Sequence, residues 1–347
     1  MLRPCDVFVI GGGPAGLAAA IAARRRGMSV TLADGAIPPI DKACGEGLMP
    51  DGLAALRELG IELGASDAQP FLGIRFLEGD VSIQAAFPDG HALGVRRTVL
   101  HSRLLEAAAA AGVHMLWGTP IGSFDQAPPS RWIIGADGFH SRVRRWAGLA
   151  APFPAQRYGF RIHYRTAPWT DFMELHWAAG CQIYVTPISP DEVCVALISR
   201  NAHLRVDEAL ARFPRLATRL DGVPHASPER GSVTANYRLP HVWRGNLALV
   251  GDASGAVDAI TGEGLCLAFH QAVALAGALA AGDLAAYESA HRRLARQPAR
   301  MSNLLLAMDR HGWLRRPAFR AMALAPRLFE SMLSFHLRVP DSIPALP

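Results

Sequence analysis

An α/β architecture with one domain interrupted in sequence by another is predicted from three observations. The chain opens with strand, glycine-rich turn, helix and strand, all within residues 1–34. Two blocks of alternating β-rich sequence, 71–94 and 155–199, interleave with α/β pieces at 1–68, 95–150 and 240–300. Everything beyond Gly264 reads as helix. The expected organisation is therefore a discontinuous Rossmann-type domain (1–70, 95–150 and 236–300), a smaller β-sheet cap that binds substrate (71–94 and 151–235), and a C-terminal helical segment (301–347).

The elements follow in order. Asp6–Ile10 is a short β-rich run, and Gly11-Gly12-Gly13-Pro14-Ala15-Gly16 turns it into an Ala-rich helix from Leu17 to Arg26. Gly27 closes that helix, and Ser29–Asp34 supplies the next strand. A loop rich in Pro, Gly and charge covers 35–50, before a short helix over 52–59. Turn signals at Glu78-Gly79-Asp80 and Pro88-Asp89-Gly90 punctuate the first β block. Val99–Ala111 is a helix, and Trp132–Gly135 is a strand. The second β block holds Tyr158–Arg165, Phe172–Trp177, Cys181–Thr186 and Val193–Ile198. Asn246–Val250 is an apolar strand that runs into Gly251-Asp252.

Composition removes several function classes. Half of the 347 residues are hydrophobic and 19% are charged, enough to bury two cores and too apolar for a disordered chain. The net charge of +5 rests on 34 arginines and one lysine, Lys42, scattered without a long basic run. A nucleic-acid partner is not expected. The five cysteines are odd in number and widely spaced, and the thirteen histidines show no metal-ligand spacing. Reduced thiols in a cytoplasmic protein are expected, without disulfide, zinc or other metal. Cys5, Cys194 and Cys266 read as core, and His163, His176, His225 and His241 as residues that could line a pocket. Asp6 interrupts the first apolar run, against a signal peptide. The stretch 264–281 contains His270 and Gln271 and reads as a buried helix rather than a membrane span.

The chemistry begins at Gly11-x-Gly13-x-x-Gly16, between a strand and a helix, with Asp34 at the end of the next strand. The glycines allow a tight turn, close approach of backbone to a pyrophosphate, and tight helix–strand packing. The helix N-terminus then presents free N–H groups and the positive dipole end to phosphate. Asp34 can accept from a ribose diol. This motif indicates a dinucleotide but does not separate NAD from FAD.

Two further segments separate them. Gly135-Ala136-Asp137-Gly138-Phe139-His140-Ser141, with Arg144, resembles the GADGxxSxxR segment of flavoprotein hydroxylases. Leu247–Ala253 resembles the Gly-Asp segment of the same superfamily, and Arg97-x-x-Leu100-x-x-x-Leu104 resembles its helix-start cofactor contact. On these motifs, spread over most of residues 1–300, the chain is identified as a member of the p-hydroxybenzoate-hydroxylase-like superfamily of FAD proteins. The resemblance implies FAD, contacted by Gly11, Gly13, Pro14, Ala15, Gly16, Asp34, Arg97, Asp137, Gly251 and Asp252, with Asp252 on the ribityl chain.

Within the superfamily, Lys42-Ala43-Cys44-Gly45-Glu46-Gly47 and Asp258–Gly264 are similar to segments of the geranylgeranyl-reductase-like branch. Gly255 stands where aromatic hydroxylases carry histidine. Tyr184-Val185-Thr186-Pro187 is similar to the branch's aromatic-x-x-Pro strand but lacks its tryptophan, and the halogenase tryptophan motif and lysine are not evident. Gly262, Glu263 and Gly264 are expected to open the apolar helix, whose N–H groups would face the flavin pyrimidine edge; Glu263 is either a supporting acid or a solvated first-turn residue. Cys44, with Lys42 and Glu46 in its loop, is the candidate catalytic group, a neighbouring cation favouring its thiolate.

The expected function is FAD-dependent redox on an apolar small molecule, C=C reduction or the reverse dehydrogenation. Alternatives are a monooxygenase acting on an aromatic or polyketide-like substrate, and a non-enzymatic lipid or prenyl carrier. No second GxGxxG segment is visible, so NAD(P)H binding transiently, or an electron-transfer partner, is expected to supply electrons. Residues 284–337 alternate Arg-rich and apolar patches, and are expected to be helices packed on the FAD domain, with peripheral membrane contact the less favoured alternative.

Overall fold

A computed structural model describes residues 4–88 and 90–336. Asp89 of the expected turn, and residues 337–347 of the expected C-terminal segment, lie outside the described residues.

The first sheet has six strands in the order Trp243–Arg244, Leu247–Leu249, Ser130–Gly135, Cys5–Ile10, Val30–Ala33, His114–Leu116. All pairs are parallel except the outermost, Trp243–Arg244. Register decides what this sheet can do. Ile10 is level with both Ala33 and Gly135, and Gly135 is level with Leu249. The residues that follow, Gly11, Asp34, Ala136 and Gly251, therefore leave at one edge, outside the carboxyl ends of parallel strands. Three motifs separated by over a hundred residues each are gathered there by strand pairing alone.

Helix Pro14–Arg25 starts with Pro at its first turn and ends before Gly27, whose φ of +82° suits a residue without a Cβ. Its alanines let helix Gly264–Ala281 pack closely along it, and both are buried in the largest core cluster. By length and composition Gly264–Ala281 could cross a membrane, but 67% of it is buried within the protein, where it also packs against Leu284–Arg310.

The second sheet has seven strands: Arg230–Thr234, Arg157–Tyr164, Glu192–Ser199, Cys181–Ser189, Phe172–Ala178, Gly73–Glu78 and Val81–Ala86. Its one parallel pairing joins Gly73–Glu78 to Phe172–Ala178, the seam between the two β blocks. Met173, Leu175, Trp177, Tyr184, Ala196 and Ile198 share one face, while Ile183, Val185, Val195 and Leu197 point to the other. Two short helices the sequence did not reveal, Val206–Leu210 and Pro214–Leu220, cover that outer face. Gln69–Phe71 and Ala92–Gly94 do not join this sheet. Ala92–Gly94 instead pairs antiparallel with Gln69–Phe71 on one side and with Gly47–Leu48 on the other, which fastens the end of the Cys44 loop.

The C-terminal region forms three helices, Leu284–Arg310, Gly312–Leu324 and Pro326–His336. The last two correct the expected packing: they lie against Val81–Ala86 of the second sheet, not against the first. Aromatic complementarity explains it. The Phe76 ring lies 5.8 Å from Phe319 and 5.0 Å from Phe329, and Trp177 meets Phe319 edge-on at 5.6 Å.

Candidate active site

A cavity of about 530 Å³ lies between the carboxyl edge of the first sheet and the inner face of the second. Its floor is glycine-rich. Gly13, Gly45, Gly138 and Gly264 line it and have nothing within 4 Å of where a Cβ would stand, so bare backbone faces the space. Gly11 has φ +115°, and a Cβ there would sit 2.4 Å from the Ala136 carbonyl oxygen. Gly16 lies outside the lining: a Cβ on it would meet the Gly11 carbonyl oxygen at 1.9 Å, so its task is helix–turn packing.

Asp34 lines the cavity and accepts the Gly12 N–H at 2.6 Å and the Ala36 N–H at 2.7 Å, which fixes its carboxylate beside the turn. Gly12, not part of the GxGxxG signature, proves equally constrained. The Trp117 ring would stand 2.3 Å from a Cβ there, and buried His101 donates through Nε2 to its carbonyl at 2.9 Å. Burial lowers the His101 pKa, keeping the ring neutral at pH 7.

The GADG and Gly-Asp segments are clasped together. Asp137 accepts the Arg142 and Val143 N–H groups at 2.6 and 3.1 Å, which opens helix Arg142–Trp146. Arg144 is not in the cavity. It is buried, donates to the carbonyls of Phe139, Asp252 and Ala253, and stacks over Tyr237 at 4.7 Å. Gly251 has φ +62° and donates its N–H to Gln271 Oε1 at 2.9 Å. Asp252 follows into the cavity, half exposed, 3.3 Å from Lys42 Nζ. The sole lysine thus pairs with Asp252, and the expectation that it flanks the Cys44 thiol is corrected.

Cys44 lines the cavity, its Sγ accepting the Glu46 N–H at 3.4 Å. Glu46 adopts φ +59°, unusual for a residue with a Cβ, and its surroundings hold it there. Its carboxylate accepts the Arg97 N–H at 2.9 Å, capping helix Arg97–Ala110, and meets His163 Nε2 at 2.6 Å. His163 Nδ1 lies 2.7 Å from half-buried Ser227 Oγ, so a hydrogen-bonded chain runs from the cavity wall outward. Glu46, His163 and Cys194 bring metal-ligand types together, but Arg161 Nε, 3.8 Å from Glu46, already supplies the positive charge. His176, His225 and His241 lie away from the cavity lining, as does the His163 ring.

Gly262 and Gly264 line the cavity where helix Gly264–Ala281 begins. Glu263 does not. The solvated reading of it is corrected: it is buried, outside the cavity lining, and lies 3.0 Å from His336 Nε2. Burial raises its pKa; for His336 burial opposes charge, but the Glu263 carboxylate outweighs it and the pKa rises. Asp258 is likewise structural, buried with Arg157 at 2.7 Å in a network that continues through Gln182 to Asp309. Cys194 and Cys266 are buried as expected, whereas Cys5 is half-buried.

The roof is largely apolar. Met173, Tyr184, Ala196 and Ile198 line it with one buried cation, Arg161, joined by Met49 from the loop side. Among these only Tyr184 was marked by a sequence motif; the alternating pattern of the strands could have named the others.

FAD fits these residues. The floor offers bare N–H groups at two helix starts, an acid beside the first turn and a second acid, Asp252, at the Gly-Asp segment. Two polar atoms by the floor, Arg97 Nε and Asp137 Oδ1, are buried without a hydrogen-bond partner in the protein.

Comparison with known proteins agrees. The model of the "FAD binding domain" family matches residues 4–130 and 128–293. The chain is 29% identical over 303 residues to the menaquinone reductase of Mycobacterium tuberculosis, covering 75% of this chain and 72% of that protein. It is 25% identical to the putative FAD-dependent monooxygenase YetM of Bacillus subtilis, covering 86% and 91%. The flavin-dependent brominase Bmp2 shares the fold, with TM-score 0.80, 19% identity and coverage of 96% and 93%. The superfamily that the motifs resemble therefore stands.

Proposed function

The chain belongs to the FAD binding domain family and is an FAD-dependent oxidoreductase, and we propose that it reduces a C=C bond of an apolar, unsaturated small molecule, or runs the reverse dehydrogenation. The observation that carries this reading is the pairing of an apolar roof with a thiol at the wall: Met173, Ala196 and Ile198 above, Cys44 beside. The menaquinone reductase similarity supports the same substrate class. We assign the floor (1–70, 95–150 and 236–300) to the cofactor and the second sheet (71–94 and 151–235) to the substrate.

FAD, when bound, supplies the hydride chemistry. The chain's own part is to hold phosphate at Gly11–Gly16 and the Pro14 helix start, ribose at Asp34, and ribityl hydroxyls at Asp252 after Lys42 yields its pairing. The sheet face excludes water from the reacting carbons. Reduction of a C=C bond requires a proton on the second carbon, and the Cys44 thiol holds one at the wall. The Glu46 N–H on its sulfur, with Glu46 itself held by His163, keeps the thiol in place.

Protein loaded with FAD, reduced by dithionite without oxygen and mixed in D₂O with a short-chain menaquinone, tests this. The expected product gains two hydrogens, labelled from solvent. Cys44→Ser should retain FAD and slow that step by about 10²–10⁴-fold, as loss of a general acid does; turnover within about twofold of the parent removes Cys44 from the mechanism.

The monooxygenase reading has its own support in the YetM similarity over most of both chains. A product that forms only with O₂ and carries its oxygen would establish it instead.

A further inference from the structure

The last two helices each have one face buried and the other unpartnered among the described residues. In Gly312–Leu324, Arg315, Phe319 and Met322 form the buried stripe. At about 100° per residue, Trp313, Pro317, Arg320 and Leu324 fall together on the opposite side. Trp313 is 75% exposed and Leu324 88%. Pro326–His336 repeats the pattern: Phe329, Leu333 and His336 are buried, while Leu328 and Phe335 are 55% and 46% exposed. Leu324 and Leu328 flank the bend at Ala325 that joins the two helices.

The exposed charge is mostly positive. In the two helices Arg316, Arg320 and Arg327 are exposed, with Arg310 just before them, against one exposed acid, Glu330. The neighbouring acids are committed elsewhere, Asp309 to Arg200 and the Arg157 network, Glu78 to Arg315 at 2.6 Å. Exposed Trp, Leu and Phe interspersed with arginines, of which Arg310, Arg320 and Arg327 are unpaired among the described residues, suit a surface that is apolar below and anionic above.

We propose that helices Gly312–Leu324 and Pro326–His336 dock the protein on an anionic phospholipid surface, the apolar side chains entering the acyl boundary and the arginines meeting headgroups. The docking element is mechanically tied to the active site. His336, on the buried face of the second helix, reaches the Thr261 carbonyl at 3.3 Å and Glu263 at 3.0 Å, directly beside Gly262 and Gly264 of the cavity floor.

The full-length holoprotein should co-sediment with vesicles of phosphatidylcholine containing about one third phosphatidylglycerol, at least about tenfold better than with phosphatidylcholine alone. Raised salt should weaken that binding. The variant Trp313→Ser/Leu324→Ser alters only exposed positions and should lose about tenfold in vesicle affinity while keeping FAD content and melting temperature. Arg320→Glu/Arg327→Glu should abolish the preference for anionic vesicles. Absence of vesicle binding by the parent, or binding that both variants retain, overturns the proposal. So does light scattering that shows a dimer dissolved by Trp313→Ser/Leu324→Ser, because the faces would then be a subunit interface.

Discussion

The floor and the roof of the cavity are built on opposite principles. The floor is made of backbone: glycines, carbonyls, helix starts, and short-range acids such as Asp34 and Asp137 that tie down neighbouring N–H groups. The roof is made of side chains, an apolar sheet face that depends on a buried ionic network at its margin, where Arg157 meets Asp258 and Gln182. A backbone surface is written in local sequence and suits an invariant cofactor. A side-chain surface is assembled from strands far apart in the chain and suits a variable substrate. Damage to the two should therefore read out differently, one as lost cofactor, the other as lost stability or substrate.

Two aspartates six residues apart sharpen this contrast. Asp258→Ala leaves the Arg157 guanidinium buried without its carboxylate, and should cost about 3–5 kcal/mol in denaturant unfolding. Asp252→Ala removes only a half-exposed pairing with Lys42, so stability should hardly change. Its effect belongs to the cofactor: loss of a charge-assisted hydrogen bond should weaken FAD by roughly 1.5–3 kcal/mol, about ten- to a hundredfold, in a fluorescence titration. Equal loss of FAD from both variants would erase the distinction.

Between these magnitudes lies a pH effect from beneath the floor. His291 is buried against Ser254, with Nε2 2.8 Å from Oγ, and burial lowers its pKa from 6.5 to about 4. The unfolded chain takes up that proton near pH 6.5 and the folded chain only near 4. The stability this contributes is thus complete above pH 6.5 and lost as pH falls towards 4, by about 3 kcal/mol. His291→Gln should flatten the stability profile in that window. An unchanged slope would place the acid sensitivity in another group, and not in the Glu263–His336 pair, whose raised pKa values favour the folded state at low pH.

Legibility followed the same division. Gly11–Gly16, Asp34, the GADG segment and Gly251-Asp252 all declared themselves, because each motif encodes a local backbone shape and strand register then brings them to one edge. Glu263 and Lys42 misled. Their surroundings come from His336 and Asp252, residues distant in sequence, and neighbouring positions in a loop do not reveal which way a side chain turns. The C-terminal helices showed their apolar periodicity but not their partner, since only the folded second sheet presents Phe76 and Trp177 to them. Glu46 was singled out for its place beside Cys44; its role as cap of a helix fifty-one residues away could not be read from the loop.

Separability of floor and roof is the central claim, and Ala196 offers the most direct test of it. Its side chain lines the cavity from the second sheet, whereas the glycine turn belongs to the first. In Ala196→Trp, FAD affinity should stay within about twofold of the parent while the short-chain menaquinone binds about tenfold more weakly, a change of about 1.4 kcal/mol. Parallel titrations of FAD and menaquinone on the same preparation decide it. If Ala196→Trp instead sheds FAD as readily as Asp252→Ala and leaves menaquinone binding intact, the roof is part of the cofactor site and the division drawn here fails.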